Sequence, residues 1–395
     1  MKKINRNQFQ SFPYHLVEPS PWPILVSFSL LSLTLGAVMY MQGFTHGGQL
    51  ISLGFTLTVF GMILWFRDII TEGTKHSNNL ILNLSILFTS KVITKEMIKT
   101  LLQKYIMKEQ PNLGTNEDLG HYLSGLLEGD GSIYLPSIGK TSLKRVLNPR
   151  IIFPSHINNL EMYLIIYNQL GNIGRFQVIG NVLRYIIGDV KGINFMINLI
   201  HGKLRTPKNI RLNQLIDFLN NKYGTDIKQS PLDKSDLYSN SWFTGFIEAD
   251  GHFGIKISKR KIIQDLKINN VCLVFRLDQR AYDFSTKFSM KSIMKILADQ
   301  LNCSLLSLKL KINKETDKIR EVYSVSITSP IQLLPLIEYL NKYQLIGNKN
   351  KEFKDWEKAY HIIISKHHLT EAGYLDIMKI KENLNSKRQF INPLA

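Results

Sequence analysis

"GLLEGDGSI" (Gly125–Ile133) and "GFIEADGHF" (Gly245–Phe253) follow one pattern: Gly, two apolar residues, Glu, a very small residue, Asp, Gly, a polar residue, then Ile or Phe. Their aspartates, Asp130 and Asp250, stand 120 residues apart in a chain of 395. On a helix, Gly125 and Gly129 fall four apart on one face, as do Gly245 and Ala249. Side chains that small let two helix backbones approach closely, so the pattern predicts that the two motif helices pack together. Asp130 and Asp250 would then meet at their C-terminal ends. That placement is unfavourable twice over. A carboxylate at a helix C-terminus opposes the macrodipole, and two carboxylates in one site repel and raise a pKa. Divalent cations between them would remove both objections, and oxygen donors suit magnesium or manganese. Metals held by paired carboxylates activate water and stabilise the leaving oxygen in phosphodiester hydrolysis.

One isolated copy of the phrase is ordinary turn chemistry at a helix end. Here, however, both copies head the same succession of elements. Each expected motif helix, Asp118–Asp130 and Ser239–Asp250, leads directly into a strand, "GSIYLP" (131–136) or "GHFGIKIS" (251–258). A second strand follows near 150 or 271, then a helix over Leu160–Leu170 or Met290–Leu301. A hairpin comes next, Gly174–Asp189 or Cys303–Thr328, where alternation of Tyr323, Val325 and Ile327 with polar residues marks a half-buried strand. An apolar helix closes each half before a Lys-bearing phrase, "LRTPK" (Leu204–Lys208) or "LIGNK" (Leu345–Lys349). A duplicated α+β unit accounts for this order. Its halves are 118–228 and 237–395, joined by the polar "QSPLDKSD" (229–236).

The net charge is +18, of which residues 1–74 contribute only +1. The remaining +17 points to a polyanionic partner, nucleic acid before an anionic membrane. Arg145, Arg150, Arg184, Lys256, Arg276 and Lys309 lie on or beside expected strands, and "SKRK" (258–261) forms a basic turn; these are the candidate nucleic-acid contacts. Cys272 and Cys303 are the only cysteines, which excludes a disulfide framework or a Cys-rich zinc site.

The N-terminal segment is of another kind. Ile24–Met41 and Leu50–Phe66 are uncharged apolar runs of 18 and 17 residues around a Gly-containing turn, long enough for a membrane-spanning hairpin. Trp22 and Trp65 sit near their ends as interfacial anchors. Residues 75–117 read as a linker, with helical spacing over Ile93–Met107.

"PYHLVEPSPWPILVS" (Pro13–Ser27) and "WFRDIITEGT" (Trp65–Thr74) resemble the opening two helices of cytochrome c oxidase subunit III. The likeness covers roughly 12–74 and stops after Thr74, as an exon read in frame into an intron reading frame would. It implies a mitochondrial protein, with this segment in the inner membrane unless it is removed and the rest in the matrix.

The doubled phrase resembles the LAGLIDADG homing endonucleases of two-motif, single-chain type, the nonapeptide falling on Leu123–Gly131 and Phe243–Gly251. This likeness covers roughly 118–380, with "GKLRTPK" and "DWEKA" (Asp355–Ala359) adding to it. It implies two pseudo-symmetric αββαββα halves whose saddle-like sheets enter the DNA major groove, and a monomeric, intron-encoded, site-specific double-strand DNA endonuclease. By position, Asp130 and Asp250 would bind the metal, assisted by the carbonyls of Gly129 and Ala249, while Glu128 and Glu248 point away. Lys208 and Lys349, 78 and 99 residues beyond their aspartates, match the family's basic residue near the active site, which would stabilise charge on the phosphate. The alternative is an RNA maturase that helps its own intron RNA to fold. A membrane fragment with an inert tail is argued against by the soluble region's charge and by the repeat.

Overall fold

The computed structural model describes residues 21–76, 90–106, 115–136, 148–258, 270–311 and 319–384. Arg145, residues 259–261 of the basic turn and residues 77–89 and 107–114 of the expected linker lie outside the described residues. The chain divides into two units, residues 1–90 and 91–395.

The first unit is a hairpin of α1 (Trp22–Met41) and α2 (Gly47–His76). Its helices touch at glycines: a Cβ on Gly36 would fall 2.7 Å from the Ile51 nitrogen, and one on Gly54 2.6 Å from that of Leu33. Ile24, Phe28, Leu35, Phe55, Phe60 and Ile63 are exposed. Trp22–Met41 and Gly47–Arg67 are long and apolar enough to cross a membrane. Close contact through small residues with large apolar groups facing outward is how helices pair in lipid.

The second unit holds the repeat. Its first part runs β1 (Ser90–Val92), α3 (Lys95–Ile106), α4 (Asn116–Gly129), β2 (Ser132–Tyr134), β3 (Arg150–His156), α5 (Leu160–Gln169), β4 (Arg175–Ile179), β5 (Val182–Ile187), α6 (Val190–Ile200) and α7 (Lys208–Tyr223). The second part runs α8 (Trp242–Asp250), β6 (Gly251–Ser258), β7 (Asn270–Arg280), α9 (Lys291–Gln300), β8 (Leu306–Lys311), β9 (Ile319–Ile327), α10 (Pro330–Lys342), α11 (Asn348–Ile364) and α12 (Glu371–Glu382). The second sheet has the order β6-β7-β9-β8, and the first repeats it as β2-β3-β5-β4, with β1 added beside β4. Each half has its own core of buried aliphatic and aromatic side chains.

Several boundaries differ from expectation, among them that of α8, which starts at Trp242 rather than Ser239. Helix α4 starts at Asn116 because Thr115 and Asp118 form a capping box. Residues 90–106, expected as linker, belong to the first half: β1 joins its sheet, and Ile93 and Ile98 are each 4% exposed within its core.

Strand registers sort the basic residues by face. Ile133, Ile151, Phe153, Leu183 and Tyr185 point into the first core, which leaves Arg150 and Arg184 on the other side. In the second sheet Phe253, Phe275 and Val325 point inward, while Lys256 and Arg276 share the opposite face. Lys309 lies on the other face. It stands opposite Glu321, on the face of Tyr323 and Val325, and Leu306, Leu308 and Leu310 occupy the face shared with Lys256 and Arg276. A period of two allows no compromise: a one-residue offset moves a side chain to the other side of the sheet.

Candidate active site

Helices α4 and α8 cross backbone to backbone. A Cβ on Gly125 would collide with the Trp242 carbonyl oxygen and lie 2.7 Å from the Phe246 nitrogen; one on Gly245 would collide with the Tyr122 carbonyl. One turn later, a Cβ on Gly129 would collide with that of Ala249 and lie 2.9 Å from Asp250 Oδ2. The four small residues thus form the interface, and the crossing brings the two helix C-termini, with Asp130 and Asp250, into one cavity of about 560 Å³.

Electrostatics there is frustrated. Burial pushes the Asp130 pKa up to about 7; the Asp250 carboxylate adds to this, and Lys349 and Lys208 oppose it. Asp130 keeps access to solvent through the cavity, which moderates the shift without reversing it. Asp250 is raised too, chiefly by burial, with the Gln279 side chain opposing by donating a hydrogen bond to Oδ2. Two hard oxygen groups at one point with their charge only partly balanced fit a magnesium-like cation, which commonly takes one or two carboxylates and completes its shell with water and phosphate oxygens. Among the described residues no cluster of three or more His, Cys, Asp or Glu forms a metal site, so a cation here would draw on that outer shell.

The lysines cap the motif helices. Lys208 Nζ donates to the carbonyls of Leu127 (2.8 Å), Glu128 (2.9 Å) and Gly131 (2.7 Å). Lys349 Nζ donates to those of Ile247 (3.0 Å) and Ala249 (3.1 Å). All three Lys208 protons are therefore engaged, so its cation acts on the site through its field and through the helix end it holds. Burial pushes the Lys208 pKa down, against the pull of Asp283, Glu128, Asp250 and Asp130. The Ala249 carbonyl, expected to assist a metal, already accepts from Lys349.

The motif glutamate side chains are engaged elsewhere than at the aspartates, although Glu128 is among the residues that line the cavity. Each is buried and holds the turn that carries its lysine. Glu128 accepts from the amides of Arg205 and Thr206, the Thr206 hydroxyl and Trp242 Nε1. Glu248 accepts from the amides of Ile346 (2.9 Å) and Gly347 (3.2 Å) and from the Tyr122 hydroxyl (3.3 Å). Tyr122 and Trp242 are themselves 120 residues apart, so each glutamate ties its own lysine turn to the aromatic donor of the opposite motif helix.

Gln279 escaped the sequence reading. It is an uncharged residue on β7 that meets Asp250 only through strand register. By the same register its counterpart in the first half is Ser155, whose hydroxyl bonds locally to the His156 carbonyl, so the two halves of the site are not equivalent.

Comparison with known proteins agrees with this fold. The model described as LAGLIDADG endonuclease matches residues 123–219 and 243–360. That for cytochrome c oxidase subunit III matches 12–99, further than the expected end at Thr74. The intron-encoded DNA endonuclease aI3 of Saccharomyces cerevisiae is 31% identical over 274 residues, covering 64% of this chain and 66% of its own length. Cytochrome c oxidase subunit 3 of Mycosarcoma maydis is 51% identical over 77 residues, 18% of this chain and 28% of that protein. Among solved structures, the I-SmaMI LAGLIDADG homing endonuclease bound to cleaved DNA has a TM-score of 0.53 at 17% identity, covering 68% of this chain and 98% of that one. I-LtrWI bound to target DNA gives 0.50 at 20%, covering 70% and 100%. These structural likenesses speak for the fold, and the family model, spanning both motif halves, speaks for descent. The chain belongs to the LAGLIDADG endonuclease family.

Proposed function

We propose that this protein is an intron-encoded, site-specific endonuclease that cuts both strands of duplex DNA with a divalent cation, Mg2+ or Mn2+, held by Asp130 and Asp250. The observation that carries the reading is the convergence of these two carboxylates, one from each half of a pseudo-symmetric fold, at raised pKa in one cavity. When bound, the cation would activate water and stabilise the leaving oxygen. The chain's own residues do the rest. Gln279 fixes the Asp250 carboxylate, Lys208 and Lys349 hold the helix ends and supply positive field, and the Gly129 carbonyl offers a further oxygen donor. Arg150, Arg184, Lys256 and Arg276, on strand faces turned away from the cores, would meet phosphates or base edges. The subunit III likeness and the intron-encoded relative support a mitochondrial location, with the apolar hairpin in a membrane unless it is cleaved off.

The test is incubation with magnesium of a duplex carrying joined subunit III coding sequence across the point where the likeness ends. Cleavage of both strands is expected. Tight, salt-sensitive binding of the intron RNA without cleavage of the duplex would replace this reading with the maturase.

A further inference from the structure

The two halves part company where the second strand returns to a helix. In the first half a three-residue turn, Ile157–Asn159, joins β3 to α5; in the second, residues 281–290 lie between β7 and α9. This connection has a fixed shape. Asp283 Oδ2 accepts from the amides of Ser285 (3.0 Å) and Thr286 (2.8 Å) and from both their hydroxyls (2.7 and 2.9 Å). The Asp283 amide donates to the Phe288 carbonyl, that of Lys287 to the Asp283 carbonyl, and that of Met290 to the Ala281 carbonyl. Tyr282 and Ser289 form a further bridge, and Lys287 takes the left-handed conformation at φ 64° that closes the turn.

On this frame aromatic rings stand in solvent. Phe284 is 75% exposed and Tyr282 55%. Both line the cavity that holds Asp130, Asp250 and Lys208. Arg280 and Arg320 line it as well, and the Lys287 ammonium lies 4.5 Å from the centre of the Phe284 ring. A large apolar ring held out on a rigid turn gives up the stabilisation of burial in the free protein. Aromatic faces among cations are the combination on which nucleic-acid bases stack, and apolar wedges unstack and kink a duplex. Because the ring shares a cavity with the carboxylates, whatever it touches is at the cleavage centre.

We propose that Phe284, supported by Tyr282, is a base-stacking wedge that enters the duplex beside the scissile phosphates, from the second half alone. The proposal rests on the DNA-cleavage reading and adds an asymmetric distortion of the substrate to it. The turn bends the DNA on one side of the pseudo-twofold axis, so unstacking falls on one strand position and has no counterpart from the first half.

The probe is the joined subunit III duplex with 2-aminopurine placed at one central position at a time, bound by the full chain with calcium in place of magnesium. Fluorescence should rise at positions on one side of the centre only, reporting an unstacked base. Phe284→Ala should abolish that rise and weaken binding by about tenfold or more, whereas Phe284→Trp should keep both. Phe284 is exposed, and equal melting temperatures would show that the variants fold. Fluorescence that stays flat with a wild-type protein that binds and cleaves this duplex, or that rises equally with Phe284→Ala, overturns the wedge and leaves the endonuclease reading standing. A wild-type protein that neither binds nor cleaves the duplex overturns both.

Discussion

Asp130 and Asp250 are chemically alike and differently supported. Asp250 has the Gln279 amide to hold it, and Asp130 has no such donor from Ser155. Asparagine at either position keeps shape and removes charge. Asp130→Asn or Asp250→Asn should each lower cleavage by about 10²–10³-fold or more, measured as single-turnover rates on the joined duplex, while affinity is retained because a carboxylate no longer repels phosphate. Wild-type rates in the double variant would remove these residues from the chemistry. The raised Asp130 pKa has a consequence for stability. Between the ordinary carboxylate value and about 7, the folded, cation-free protein holds a proton that the unfolded chain has released. Stability therefore falls as pH rises across that window. Melting temperatures without divalent cation should decline from about pH 4 to about 7, and the slope should shrink with magnesium and in Asp130→Asn. The glutamates behave otherwise. Glu128→Gln replaces one acceptor oxygen with a donor facing amide donors, so it should cost about 1–3 kcal/mol of stability with a smaller loss of cleavage than either aspartate variant. An unchanged denaturation midpoint would show that the Glu128 network is not formed.

Among the elements, the motif helices show what their sequence contained and what it lacked. Gly125, Gly129, Gly245 and Ala249 announced the crossing because a four-residue spacing on a helix is a statement about one face. A methyl group at Gly125 or Gly245 meets backbone of the facing helix, which cannot rotate out of the way. Gly125→Ala and Gly245→Ala should each destabilise by about 1–3 kcal/mol or more, the range for overpacked interiors; chemical denaturation reads it, and a neutral result would mean that the helices do not touch. Strand faces were less legible. Arg150 shares a face with Arg184 and Lys256 with Arg276, but Lys309 lies on the other side of its sheet, because the face of an edge strand depends on a register that nothing local in "LSLKLK" specifies. The same dependence hid Gln279, and the turn at 281–290 carries none of the duplicated pattern that made the rest of the repeat readable. In the linker region the helical spacing near Ile93 was visible, yet its membership of the first core was not, since that depends on partners far along the chain.

For the molecule as a whole, the dividing line after Ser90 leaves β1 almost entirely with the unit that holds the repeat. A fragment starting at residue 91 should fold, remain soluble and cleave, whereas one starting at 107 would uncover the sites of Ile93 and Ile98 and melt at lower temperature. Aggregation of the longer fragment would place the boundary wrongly. Nearly all of the +18 charge lies outside residues 1–74, so log affinity for the duplex should fall with log salt by roughly 0.9 per phosphate neutralised. A flat response in fluorescence anisotropy titrations would rule out a binding face of this kind.

The two aromatic clasps also constrain how such a chain could be recombined. Trp242 completes the hydrogen bonding of Glu128, and Tyr122 that of Glu248, across the seam between halves. Swapping in a foreign second half with a plain hydrocarbon at the Trp242 position would leave a carboxylate of the resident half one donor short in a dry interior, even if the graft's own lysine and aspartate were perfect. The damage would appear in the half that was never replaced. The seam is keyed like two gears, and only halves cut with matching teeth can be meshed.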